Sequence, residues 1–208
     1  MKPNRWWLFP AVLLVPGALP ALGQGSGTVT QADSILLNES GRVVVEGRST
    51  PYLIRHLPVS SFPQLPQAVQ DLLNQRGCLI PQTYQAHQPE NVVQASLERR
   101  GSADWAVLCS EEGTVSLLVF FGDSQTVPRV LATAPETERL QPHGTEGVLG
   151  FDWGIDAASP EQVREAQAGM RHRPPRLDHD ALADSVIDQT TVYHYFSANA
   201  WTVVPTQE

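Results

Sequence analysis

Residues 104–123 read DWAVLCSEEGTVSLLVFFGD, and no other stretch restricts the fold as strongly. Two apolar runs are split by Glu111-Glu112-Gly113, the composition of a tight turn between antiparallel strands. In an extended chain successive side chains point to opposite sides. Trp105, Val107 and Cys109 then share one face and Ala106 and Leu108 the other. In the second run Val115, Leu117, Val119 and Phe121 oppose Leu118 and Phe120. A ribbon that is apolar on both faces has neither face to give to water, so it must lie inside a sheet with a layer over each side.

The flanking sequence offers material for those layers. LPQAVQDLLNQRGC carries Leu65, Val69, Leu72 and Leu73 at helical spacing, with Pro66 in the first turn and Gly77 as the stop. SPEQVREAQAGM predicts a second helix, with Ser159 as N-cap, Pro160 in the first turn and Gln162 completing a capping box. SILLNESGRVVVEG reads as a hairpin turning at Asn38–Gly41. The segment from Pro51 to Pro66 is expected to be extended but not a central strand, because its prolines cannot donate to a ladder. Short strands are expected at CLIPQTY, Val92–Leu97 and PRVLATAP, and a closing hairpin at TTVYHYF-SANA-WTVVP. ETERLQPHGTEG reads as a polar loop, VLGFDWGIDAAS as apolar but irregular, and RHRPPRLDHDALADSVIDQ as a loop with a helical turn near Leu182. The sum predicts an α+β fold, mainly antiparallel β-sheet with two helices.

The first residues bear on compartment. Lys2 and Arg5 precede the apolar WWLFPAVLLVPGALPAL, which Pro10, Pro16 and Pro20 interrupt, and small residues follow at Ala21 and Gly23. This three-part pattern predicts a secretory leader over 1–23, a Gly/Ser/Thr-rich mobile segment over 24–34, and a single domain over 35–208. The protein is then expected outside the cytoplasm, periplasmic or extracellular. No second long apolar run follows, so no membrane span is expected after cleavage. In an exported chain the only two cysteines, Cys78 and Cys109, most simply pair, closing a loop of about 30 residues that stabilises by roughly 3–4 kcal/mol. The formal net charge of −8 argues against nucleic acid as a partner, because that binding rests on neutralising phosphates.

Motifs for common chemistries are missing: there is no HExxH, P-loop, GxSxG or CxxC, and no cofactor is expected. The candidate site is LDHDALADSVID, where Asp178, His179, Asp180 and Asp184 fall within seven residues. On a helical turn Asp180 and Asp184 would share a face at i and i+4. Such carboxylates suit a hard cation such as calcium, or a base beside His179; a solvated loop with an aspartate cap is the other reading. Tyr193, Tyr195 and Trp201 of the closing hairpin are candidate ligand-binding aromatics, core filling being their other role.

Two resemblances follow from quoted residues. GSADWAVLCSEEGTVSLLVFF resembles the hairpin of FG-GAP or VCBS-type propeller repeats, whose preceding loop carries alternating calcium-binding acids; here that loop, LERRGSAD, keeps Asp104 alone. RGCLIPQTY, DWAVLCS, SLLVFF and VYHYF with its later tryptophan are together similar to a group of exported bacterial proteins without assigned function. That likeness implies an envelope or secreted location and a Cys78–Cys109 bridge. The expected function is an exported, non-catalytic binding protein for a protein or small-molecule partner in the envelope. The alternative is a secreted hydrolase or metal-binding protein using the 178–184 loop.

Overall fold

The apolar ribbon is the spine of the computed structural model, which describes residues 37–122, 125–144 and 147–206. The expected leader (1–23) and mobile segment (24–34) lie outside the described residues. In chain order the elements are β1 (Leu37–Val45), β2 (Arg48–Pro58), α1 (Gln67–Gln75), β3 (Leu79–Gln82), β4 (Val92–Ala95), β5 (Asp104–Glu111), β6 (Thr114–Phe120) and β7 (Arg129–Pro135). They continue with β8 (Leu140–His143), β9 (Val148–Phe151), β10 (Trp153–Ala158), α2 (Pro160–Ala166), β11 (Ala181–Val186), β12 (Thr190–Ser197) and β13 (Ala200–Pro205). The fold is mainly β-sheet, mostly antiparallel, with two helices and one disulfide.

β5 and β6 form the expected hairpin, turning at Glu112-Gly113, both of which have positive φ. Each face has its own core. Trp105, Val107, Cys109, Leu118 and Phe120 pack with Val69 and Leu73 of α1. Ala106, Leu108, Val115, Leu117 and Val119 pack with Phe151, Trp153, Ile155 and Leu182. The nine-stranded sheet runs β7-β6-β5-β3-β2-β9-β8, with β1 on β2 and β4 on β5. β3 and β4 share the edge of β5 that faces away from β6. The second sheet, β10-β11-β12-β13, covers the Leu108 face, and α2 seals its far side over Ala158, Ala181, Ala183, Tyr195 and Val204.

Both helices start and stop as local chemistry dictates. α1 follows Pro66 and ends in a Schellman motif: Gly77 (φ 71°) donates to Asn74 and Cys78 donates to Leu73. That turn delivers Cys78 to Cys109, with Cα atoms 5.4 Å apart and a sequence separation of 31. At α2, Ser159 Oγ accepts the Gln162 amide and Gln162 Oε1 accepts the Ser159 amide, so the capping box is complete.

Five expectations are corrected. The first hairpin turns at Glu46-Gly47 (φ 50° and 77°), a geometry suited to a two-residue turn, not at Asn38–Gly41. Gly41 instead lets the Tyr52 ring lie against the strand, where a β-carbon would come within 2.7 Å of it. Pro51 and Pro58 do not exclude β2 from the sheet interior: Pro51 lies just before Tyr52 and Leu53, where β9 joins, and Pro58 ends the strand. That β9 pairing is parallel, which makes the large sheet mixed. The polar stretch 136–143 contains a 3-10 turn and β8, the "irregular" 148–158 is β9 and β10, and Leu182 sits in strand β11 rather than a helical turn. Burial on both sides overrides the helix preference of ALADSV: Ala181 and Ala183 lie beneath α2 while Leu182 fills the inter-sheet core.

Candidate functional site

β11 separates the residues of the acidic segment. Asp178 is exposed. His179 is mostly buried, with Nδ1 2.9 Å from Asp178 Oδ1 and Nε2 2.8 Å from the Phe196 carbonyl oxygen. Both ring nitrogens are thus engaged within the chain, which holds the ring between Asp178 and β12 rather than presenting it to a substrate. The hydrogen bond from His179 holds the Asp178 carboxyl below its ordinary value against a smaller desolvation effect. Asp180 faces elsewhere: its Oδ2 accepts the Ser96 amide and its amide donates to the Ser96 carbonyl, each at 2.9 Å, tying the end of β4 to the start of β11. Asp184 points between the sheets, where Oδ1 accepts the Trp153 indole N–H at 2.6 Å and Oδ2 lies 3.0 Å from His194 Nε2. Four residues within seven positions of sequence thus serve three separate places.

The aromatics of the closing hairpin divide by strand alternation. Tyr195 is buried beneath α2, and Tyr193 beside it lines a shallow cleft of about 250 Å³ with Gln162, Glu165 and Thr206. Trp201 faces the inter-sheet core, stacking 6.0 Å from Phe121 with planes 10° apart and tilting against Phe196.

Asp104, the acid retained in the propeller-like loop, is fully buried. Its Oδ2 accepts the Leu97 and Glu98 amides at 2.8 Å and the Ser102 hydroxyl; its Oδ1 accepts the Gly122 amide at 2.9 Å. The carboxylate organises its own loop. Among the described residues no three His, Cys, Asp or Glu side chains are placed to hold a metal ion.

A different cluster gathers titratable groups around an opening. His56 follows Ile54 on the inward face of β2, and its Nε2 lies 2.7 Å from Glu136 Oε1; both side chains are almost completely buried. Glu136 starts the 3-10 turn after β7, anchored by its amide to the Gly113 carbonyl. His56 Nδ1 lies 3.2 Å from the Leu37 carbonyl oxygen, again an acceptor. Burial pushes the Glu136 carboxyl upward, but the hydrogen bond from His56, the nearby Ser110 hydroxyl and the His56 charge outweigh it and hold the group below its ordinary value. Glu39 stands beside the same carboxyl and accepts the Tyr52 hydroxyl at 3.0 Å. Burial, together with Glu39, pushes the Tyr52 phenol up. Leu37, Glu39, His56, Leu79, Ser110 and Glu112 line a cleft of about 230 Å³ above this cluster.

Ser110, His56 and Glu136 are the residue types of a hydrolytic triad, but their order is wrong for one. A triad histidine bridges the hydroxyl and the acid. Here the acid stands next to both others, and the second nitrogen of His56 faces a backbone carbonyl. The arrangement offers acceptors and negative charge, not an activated nucleophile. Sequence reasoning missed this cluster because His56 and Glu136 are 80 residues apart. The available signal was His56 itself, a polar residue two places from Ile54 in the apolar run YLIRHLPV, where strand alternation points it inward. No protein family, no curated protein and no solved structure matches this chain.

Proposed function

We propose that this chain is a non-catalytic binding protein of an exported, oxidising compartment, periplasmic or extracellular, akin to the exported bacterial group it resembles. The observation that carries the reading is the placement of the histidines in both candidate sites. Each ring nitrogen of His179 and of His56 lies against an oxygen of the chain itself, so these rings hold structure and neither presents a nitrogen to a substrate. The cleft beside Glu136 is the opening on which buried and exposed polar groups converge, as ligand sites do. The Cys78–Cys109 bridge supports the compartment, since such bonds persist where the surroundings are oxidising. Among the described residues no helix is long and apolar enough to cross a membrane. The partner is a protein or small molecule of the envelope, and no cofactor enters the reading.

The hydrolase alternative needs Asp180 or Asp184 to work with His179, and those side chains have separate partners. A panel of ester, peptide, glycoside and phosphate substrates tests the reading. The expected result is no turnover above background. Turnover that disappears in His179→Ala or Asp180→Asn while the melting curve is unchanged would overturn it.

A further inference from the structure

A second opening, sharing no lining residue with the cleft beside Glu136, is built around Arg55. Arg55 follows Ile54 on β2, so alternation puts it on the face of Leu57, and it lies opposite Gln82 of β3. Its half-buried side chain reaches the loop between β3 and β4, where Nη2 donates to the Thr83 carbonyl at 2.6 Å and to the Ala86 carbonyl at 3.0 Å. Pinning the loop uses Nη2 alone. The N–H groups of Nε and Nη1 have no partner among the described residues, and neither nitrogen is sealed from solvent. Both partners of Nη2 are neutral. Arg55 makes no ion pair among the described residues, although the chain has 22 acidic residues against 14 basic ones. The charge is left for something outside the chain to meet.

The cleft holds about 220 Å³, and no acidic side chain lines it. Leu57, Ala86 and Pro89 supply apolar wall, and His87 stands exposed at the rim without a hydrogen-bond partner among the described residues. The loop that forms the wall is fixed at both ends. The buried Gln82 side chain donates to the Glu90 carbonyl at 3.1 Å and accepts the Glu90 amide at 2.9 Å, while Glu90 Oε1 accepts the Thr83 amide at 2.8 Å. The opening therefore exists before a ligand arrives, which lowers the cost of binding. Water is the default occupant, but apolar walls favour an anion that brings carbon with it. A phosphate is the poorer match, because it needs several convergent donors and a single guanidinium supplies them here.

We infer that this cleft binds the carboxylate of an organic acid with a short apolar stem. The carboxylate accepts from the free N–H groups of Arg55, and the stem lies along Leu57, Ala86 and Pro89. The volume is below that of a drug-sized pocket and admits one head group with a few methylenes. The source is either a free aliphatic acid or the carboxyl terminus of a peptide with an apolar last residue. The inference goes beyond the reading above, which turned on the other cleft, and it stands or falls separately.

The test is an NMR titration of the full chain at neutral pH. The probes are hexanoate, its uncharged counterpart hexanamide, acetate as the head group without a stem, inorganic phosphate, and N-acetyl-alanyl-leucine with a free carboxyl terminus. Hexanoate should give saturable shifts at the Gln82, Ala86 and Gln88 amides and at the Arg55 Nε–H, and hexanamide should not. Acetate should bind about tenfold or more weaker, because each buried methylene is worth severalfold in affinity, and phosphate should be weaker than hexanoate. Arg55→Gln should weaken hexanoate about tenfold or more. If that variant fails to fold, the Arg55 Nε–H resonance of the wild type decides, since it should move with hexanoate and stay put with hexanamide. Tighter binding of the dipeptide assigns the source to a peptide terminus; tighter or equal binding of hexanoate assigns it to free acids, and either supports the site. Absence of saturation, equal binding of hexanamide or phosphate, an unmoved Arg55 Nε–H, or unchanged affinity in Arg55→Gln overturns the inference. Those results end the carboxylate site alone, whereas turnover in the substrate panel ends the binding reading itself.

Discussion

Replacing Asp104 tests whether one carboxylate holds the loop that leads into the central ribbon. The side chain is fully buried and accepts from Leu97, Glu98, Ser102 and Gly122. Hydrogen bonds to a charged group contribute about 1.5–3 kcal/mol each, and a buried donor left bare costs about 1–3 kcal/mol. The four do not add, because the donors on part-buried atoms regain water once the loop loosens. The Leu97 amide is the fully buried one. Asp104→Ala is therefore expected to cost about 3–5 kcal/mol, a large share of the roughly 5–15 kcal/mol that a domain of this kind possesses. For a chain of this length that corresponds to a fall of about 6–20 °C in Tm. Asp104→Asn keeps the volume but turns an amide N–H₂ toward backbone donors, so it should lose most of the same stability. Urea melts at neutral pH, monitored by tryptophan fluorescence, give the values. Calcium should leave the wild-type Tm unchanged, because the carboxylate oxygens are already occupied. A loss below about 1 kcal/mol for both variants would refute the argument, as would a calcium-induced rise in Tm that Asp104→Asn removes.

Three further outcomes are expected. The Glu136 carboxyl is held low in the folded chain, so its ionisation favours folding. That contribution is whole above the ordinary glutamate value of about 4.3 and fades as pH falls through the folded value. The stability gap between wild type and Glu136→Gln should thus be flat near neutrality and close on acidification, and a gap independent of pH would contradict it. Removing the bridge by Cys78→Ala/Cys109→Ala should cost about 3–4 kcal/mol by the loop-closure argument for its separation of 31 residues, read from chemical melts without reductant; no loss would contradict the stapling role. Trp153→Phe deletes the indole N–H that Asp184 accepts and should cost about 1–3 kcal/mol, and a double-mutant cycle with Asp184→Asn should show coupling, whereas additivity would deny the bond's contribution.

The parts of the fold legible in the sequence are those governed by local rules. Alternation assigned the apolar side chains of the β5–β6 ribbon to their correct faces, and Ser159 with Gln162 announced the start of α2. Apart from the first hairpin's turn, which is local, the failures share a cause: they concern residues whose partners lie far along the chain. Gly150 made VLGFDWG look irregular, yet it is a strand residue under the stacked rings of Tyr84 and His143, where a β-carbon would meet Tyr84 at 2.5 Å. ALADSV looked helical because nothing local reveals that α2 covers one side and Trp153 and Leu182 share the other. The acidic segment showed a local density of charge, which strand geometry then dispersed. The His56–Glu136 cluster showed no such density, because the fold assembles it from β2 and the turn after β7.

The β1–β2 hairpin carries a practical consequence. Its tip at Glu46-Gly47 extends past Tyr52, where pairing with β9 starts, and Gly47 has no neighbouring atom within 4 Å of where a β-carbon would sit. Val44 beside it is 75% exposed. A fluorophore or affinity handle attached there would ride on a regular ladder yet enter none of the three cores. Its distance to the Glu136 cleft is set by one continuous strand, since β2 runs from that tip to His56. The molecule thus provides its own ruler from that tip to the cleft.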